Sequence, residues 1–156
     1  DDFLNFDVNN SEFYLSECIN RIESYYKDKL SINKTEFIIS DYTDCIMYGD
    51  VERSIEVIQN IIENAIKYGD GSFIKIDFCT EENCRLIKIS NSGSTLSEGE
   101  MPHIFESFWR GSNSDNVNGS GLGLYICRQL MILMNGEVYA EQKENIFSVT
   151  LVFRMA

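Results

Sequence analysis

Two asparagines one helical turn apart, Asn60 and Asn64, with Lys67 just beyond them, are the residues of this chain best suited to chemistry. At about 100° per residue, the stretch 50–68 puts Val51, Ile55, Ile58, Ile62, Ala65 and Ile66 on one face and this trio roughly 180° away. Asparagine is a poor helix former, so two of them where Glu, Lys or Ala would serve better point to a task beyond solvation. Amide oxygens are hard donors of the kind magnesium accepts, and a neighbouring ammonium suits a phosphate. The ridge is therefore expected to hold a divalent ion and phosphates, against the plainer reading of a solvated face on an amphipathic helix.

A second signal is Gly119-Ser120-Gly121-Leu122-Gly123-Leu124, which runs straight into the helical pattern Leu124, Ile126, Cys127, Leu130, Met131 and Met134. The first amides of a helix have no internal partners, and glycine lets an anion approach them closely. Standing alone, the run is equally a flexible start to a helix. It follows a long loop rather than a strand, so it is not a dinucleotide fingerprint, and it lacks the Gly-Lys-Ser/Thr of a P-loop.

These groups need elements to position them. Residues 3–8 alternate weakly and are expected as an edge strand, after which Asn10 or Ser11 caps a helix running to about residue 29. Leu15, Cys18, Ile19, Ile22 and Tyr26 supply its buried stripe. Residues 37–39 and 45–48 are short β-prone runs that read as a hairpin. Asp50 is the expected N-cap of the key helix, with Glu52 favourable at its positive end. Gly69-Asp70-Gly71-Ser72 marks a turn, and 73–78 and 85–89 read as adjacent antiparallel strands. From 91 to about 119 periodicity lapses over a stretch longer than ordinary connections, as functional loops do. Asn135-Gly136 stops the last helix, and 138–140 and 146–153 close the chain as strands. The pattern predicts an α+β fold, a two-layer sandwich with helices on one face of a mixed sheet.

Bulk properties agree with a single globular domain: 156 residues, 44% hydrophobic and 24% charged, leave room for a real core. No run approaches the roughly 18 apolar residues of a membrane span and none reads basic-then-apolar, so this stretch is expected neither to span a membrane nor to carry an export signal. The chain starts at Asp1 without methionine and is read as a fragment of something longer. Five cysteines without zinc-type spacing are expected as reduced, mostly packed thiols. A net charge of -12 disfavours nucleic acid and also repels free nucleotide, so any triphosphate site must rely on local amides, a cation and a few placed basic groups.

Taken together, the pieces resemble one family. Asn60-Ile61-Ile62-Glu63-Asn64-Ala65-Ile66-Lys67-Tyr68 resembles the N box of sensor histidine kinases, and Ile89-Ser90-Asn91-Ser92-Gly93 a variant of their first glycine box. Phe105-Glu106-Ser107-Phe108-Trp109-Arg110-Gly111 is similar to the F box, and the run 119–124 to the second glycine box, in the family's order and spacing. The resemblance covers nearly the whole chain. It implies the Bergerat-type ATP-binding fold shared with gyrase, mismatch-repair and heat-shock-chaperone ATPases, in its kinase branch. The implied function is that of the catalytic domain of a sensor histidine kinase in a two-component system, passing the ATP γ-phosphate to a histidine on a separate dimerisation domain, with a response regulator downstream. It also implies one domain over 1–156 with an ATP lid at about 94–119, no phosphoacceptor domain in this chain, and a cytoplasmic position within a membrane-anchored sensor.

Carried over residue by residue, the resemblance makes Asn64 the principal magnesium ligand, assisted by Asn60 directly or through water. Lys67 would meet phosphate, Tyr68 the ribose or phosphate side, and Arg110 the γ-phosphate during transfer, so that Asn60, Asn64, Lys67 and Arg110 form the catalytic set. The nucleotide would be bound by Asn64, Lys67, Tyr68, Asn91, Gly93, Leu96, Phe105, Phe108, Gly119, Gly121, Leu122, Gly123 and Leu124, with Phe105 and Phe108 anchoring the lid. His103, the only histidine, follows Pro102 inside the lid, unlike the family's acceptor box, and is not expected to be the phosphoacceptor.

Asn91 departs from the commonest family pattern, which has Asp there to accept a hydrogen bond from the adenine amine, and Thr95 stands where a second glycine is usual. An amide oxygen can do the same without charge assistance, at a loss of about 1 kcal/mol. Because the amide also carries a donor, a turned Asn91 could face the oxygen of guanine, so looser selectivity for ATP over GTP is expected. Two rival functions remain. A same-fold ATPase would need a glutamate base one turn before the metal asparagine, where this chain has Asn60, and Glu63 points about 100° away from Asn64. A non-catalytic module would bind nucleotide or a partner without transferring phosphate.

Overall fold

Strand pairing in this domain is decided by which short runs can bury an apolar row beneath the helices. The computed structural model describes residues 7–93, 99–106 and 123–156. Along them run β1 (Ser11–Tyr14), α1 (Leu15–Ile32), β2 (Glu36–Ile39), β3 (Ile46–Gly49), α2 (Val51–Tyr68), β4 (Phe73–Glu81) and β5 (Cys84–Ser92). A 3-10 turn (Met101–His103), α3 (Gly123–Leu133), β6 (Glu137–Lys143) and β7 (Ile146–Met155) follow. The strands form one mixed sheet in the order β1-β3-β7-β5-β4-β2, with β6 also paired to β7.

β7 is long enough to serve as the spine. It pairs with β5 from Ile146 to Arg154, with β6 from Ile146 to Val152, and with β3 at Arg154 and Met155. The helices cover one face, where Ile74, Ile76, Ile87, Ile89, Val149 and Leu151 meet Ile58, Ile62, Leu130 and Met131 in the core. Ile58 and Ile62 are fully buried, and each contributes roughly 2–3 kcal/mol of transfer free energy.

Two expectations need correction. Residues 37–39 and 45–48 do not form a hairpin: β2 pairs parallel with β4, whereas β3 pairs antiparallel with β1 and β7. The parallel register sets Phe37 and Ile39 beside Ile74 and Ile76, extending one apolar row. The intervening chain is tied to that side as well, because Ser40 Oγ donates to Asp77 (2.6 Å) and the Tyr42 ring packs on Phe78 at 4.6 Å. Nor do Asn10 or Ser11 cap the first helix, since Ser11–Tyr14 is itself strand and α1 starts at Leu15 with no side-chain cap of its own. Asp44, remote in sequence, substitutes by accepting the Ser16 amide (2.9 Å) and hydroxyl (2.6 Å). Residues 1–6 lie outside the described residues, and 7–10 are not strand.

The N-cap of α2 is as expected. Asp50 accepts the Arg53 amide at 3.1 Å and also draws in the Asn9 amide at 2.8 Å. All five cysteines are free, with Cys18 and Cys127 buried and Cys79 exposed; burial pushes the Cys18 thiol up to about 12. Among the described residues no helix is long and apolar enough to cross a membrane.

Candidate functional site

α2 is shared among three neighbours, and the division explains why its polar ridge is where it is. The sheet takes Ile55, Ile58, Ile62 and Ala65. α1 takes the flank bearing Glu52 and Glu63: Arg21 clasps Glu52 with bonds of 2.7 and 2.9 Å, while Tyr26 (2.7 Å) and Lys29 (3.1 Å) both reach Glu63. α3 takes the third flank, where the Cys127 thiol donates to the Val57 carbonyl (3.5 Å) and Asn60 stands near the same sulfur. Val57 is fully buried by this contact, a residue that the apolar stripe read from the sequence leaves out. Asn60 and Asn64 are half-buried along the seam rather than fully solvated, and Lys67 is exposed beyond them.

The direction of α3 follows from the same contacts. Met134, just past its C-terminus, receives the Asp50 amide (3.3 Å) and the Ser54 hydroxyl (3.5 Å) at the start of α2. Cys127, two turns earlier, sits at Val57 and Asn60. The helices are therefore antiparallel, and one further turn back Gly123, the first residue of α3, stands level with the turn of α2 that carries Asn64. The amide-bearing, positive end of α3 thus faces the end of α2 that holds Asn64 and Lys67, which is a setting for an anion.

Asn91 enters from the sheet. It lies near the end of β5, paired with Ile74 and Phe147, and is only 6% exposed. Its Nδ2 donates to the Ser92 carbonyl at 3.0 Å. That carbonyl also accepts the Asp70 amide at 3.1 Å, just past the C-terminus of α2. The Asp70 carboxylate in turn accepts the Ser92 hydroxyl (2.7 Å) and the Ser72 amide (2.9 Å) through one oxygen, Oδ1. The bonds from Ser72 and Ser92 hold its carboxyl below the usual carboxylate range. Gly93 closes the joint with φ +90°, and a Cβ there would stand 2.5 Å from Asp70. A cavity of about 200 Å³ reaches Asn91 from the α1 side, walled by Leu30, Ala65, Ile66, Phe73 and Ile74.

The remaining site candidates divide. Gly123 is exposed, with no described residue within 4 Å of where its Cβ would lie, Leu124 is buried in the core at 8% exposure, and Tyr68 is half-buried at the end of α2. Phe105 is half-buried and packs on the core, while neighbouring Ile104 is buried. His103 holds Glu106 at 2.9 Å. Leu96, Phe108, Arg110, Gly119, Gly121 and Leu122, and most of the expected lid, lie outside the described residues. Asp70 and Ser92 are the participants that sequence reasoning misses: the turn at Gly69-Asp70-Gly71 is legible, but its bond to a residue 22 positions on is not. Among the described residues no three His, Cys, Asp or Glu side chains converge on a cation position. A divalent ion at this seam would rest on amide oxygens, water and nucleotide oxygens, a donor set that suits magnesium.

The sequence profile of the histidine kinase-, DNA gyrase B- and HSP90-like ATPases matches residues 49–155. Sensor histidine kinase YvrG of Bacillus subtilis is 32% identical over 63% of this chain and 17% of its own length. Sensor protein VanS of Enterococcus faecium is 32% identical over 75% of this chain and 31% of its own length. The chain thus spans less than a third of these curated relatives. The solved catalytic domain of histidine kinase ThkA superposes with a TM-score of 0.81 at 25% identity, covering 94% of this chain and 96% of that one. Since the profile runs through α2, β5, α3 and β7 and the fold is shared end to end with a kinase catalytic domain, the chain belongs to the histidine kinase-, DNA gyrase B- and HSP90-like ATPases, in the histidine kinase branch.

Proposed function

We propose that this domain presents MgATP for in-line attack by an imidazole nitrogen of a histidine on a separate dimerisation domain, and that the phosphoryl group then passes to a response regulator. The observation that carries the reading is the antiparallel α2–α3 seam, which sets Asn60, Asn64 and Lys67 beside the amide end of a glycine-led helix. Phosphoryl transfer asks little covalent chemistry of the protein; positioning and charge neutralisation do most of the work. Asn64, with Asn60, would hold the magnesium ion, which when bound neutralises phosphate charge. Lys67 and the α3 amides would steady the phosphates, and Asn91 would meet the base. Arg110 is assigned to the γ-phosphate, and the lid to about 94–119, on family resemblance. ThkA has been solved in complex with response regulator TrrA, which supports a regulator as the downstream partner here.

Mixing the domain with the dimerisation domain of its parent protein and labelled ATP tests the proposal. Acid-labile phosphate on a histidine of that partner is the expected product. Tight MgATP binding without such a product would leave a binding module instead.

A hydrolase would need a base aimed at the γ-phosphate. Asn60 cannot act as one, and Glu63 is held on the far flank by Tyr26 and Lys29. Glu63→Gln is therefore expected to leave slow ATP hydrolysis within about twofold of wild type, measured as phosphate release. The cost in stability should stay under about 1 kcal/mol, since the ion pair with Lys29 is partly exposed.

A further inference from the structure

We infer that Asp70, acting through Ser92, fixes Asn91 with its donor edge turned away from the base, so that the site takes a 6-amino purine nucleotide and discriminates against a 6-oxo one. The inference rests on the nucleotide reading above and deepens it. A freely turning amide at position 91 would present either edge and accept both purines, as its sequence alone suggests. The structure removes that freedom. A carbonyl oxygen only accepts, so the amide atom 3.0 Å from Ser92 O must be the nitrogen; turning the group over would set two acceptors against each other.

The Ser92 carbonyl cannot retreat, because it is bound from the other side by the Asp70 amide at 3.1 Å. Asp70 also grips the Ser92 side chain through its hydroxyl at 2.7 Å and is itself braced by the Ser72 amide at 2.9 Å. Gly69 packs the back of the amide so closely that a Cβ there would lie 2.7 Å from Asn91 Nδ2. Oδ1 has no hydrogen-bond partner among the described residues, and it does not count among their sealed, unsatisfied oxygens. It is the atom left to meet a ligand. An acceptor placed against Oδ1 forfeits the hydrogen bond that a donor there would make. The amine at position 6 of adenine donates to Oδ1, whereas the 6-oxygen of guanine or hypoxanthine faces it as a second acceptor. Asp70 and Ser92 are thus positioning residues for a choice made at Asn91.

The test is calorimetric titration of the intact domain with MgATP, MgGTP and MgITP, the last isolating the 6-position from the 2-amino group of guanine. Wild type should bind MgATP about tenfold or more tighter than either 6-oxo nucleotide. Asp70→Ala should shrink that ratio to about threefold or less. Asp70→Asn should restore it, because both bonds received by Asp70 go to one oxygen that an amide retains. Ser92→Ala, which deletes only the hydroxyl, should fall between and serves as the probe should Asp70→Ala fail to fold by circular dichroism. Equal affinity of wild type for ATP and ITP, or a ratio untouched by both Asp70→Ala and Ser92→Ala, overturns the inference. Failure to bind any of the three nucleotides overturns the reading beneath it.

Discussion

Asn64→Ala should cost the domain more than tenfold in MgATP affinity and roughly a hundredfold or more in phosphotransfer, and what binding survives should no longer respond to magnesium. The residue sits on the α2–α3 seam, half-buried, level with the first turn of α3. It contributes nothing to the apolar cluster beneath α2, and alanine is the better helix former by roughly 0.5–0.7 kcal/mol. The variant should therefore melt no lower than wild type, which separates loss of function from loss of fold. Asn64→Asp supplies a control, since it keeps hard oxygen donors and should retain magnesium dependence. Titrations with and without EDTA read the outcome directly, and coincident curves for Asn64→Ala and wild type would remove the metal ridge from the account. Asn60→Ala should cost less in binding, because Asn60 stands a turn further from the start of α3.

How far the residues alone reveal this arrangement depends on the range of the interactions that fix each part. α2 is set by local terms, an N-cap at Asp50 and an apolar stripe at helical spacing, and both are legible in the sequence. So are the β4–β5 pair, whose register runs without a break from Glu81↔Cys84 to Ile74↔Asn91, and the stop at Asn135, which takes φ +62° as an Asn before glycine readily does. β2 and β3 are not legible, because short apolar runs carry no label for their partners, and parallel pairing with β4 depends on where α2 returns the chain. The cap that Asp44 lends to α1 spans 28 residues, and no local pattern announces it. The site follows the same rule. Asn60, Asn64 and Lys67 declare themselves by composition on one ridge, whereas the antiparallel seam that gives them an amide-rich neighbour, and the bond from Asp70 to Ser92, exist only once distant segments meet.

Gly93→Ala is expected to lower stability by about 2–4 kcal/mol, roughly 5–15 °C in Tm, and to abolish purine selectivity with it. Two costs combine at this position. The backbone holds φ +90°, which a Cβ disfavours, and the added methyl would lie 2.5 Å from both the Cβ and the backbone nitrogen of Asp70. Shortening Asp70 cannot relieve the clash, since one of the two atoms is main chain. The Gly93 amide is also tied to the Asn145 carbonyl at 2.9 Å, so the strand end cannot swing clear without breaking the β6–β7 turn contact. Relaxation must come from parting Asp70 and Ser92, the junction that orients Asn91. Two other glycines calibrate the measurement. Gly71→Ala shares a positive φ of +79° but, among the described residues, meets nothing nearer than Thr35 at 3.9 Å, so it should cost about 1 kcal/mol and leave selectivity intact. Gly123→Ala meets no described residue within 4 Å and has helical geometry, and should leave the melting temperature unchanged or slightly raised. If thermal melts placed Gly93→Ala with these two rather than far below them, close packing of β5 onto the end of α2 could not be what positions Asn91.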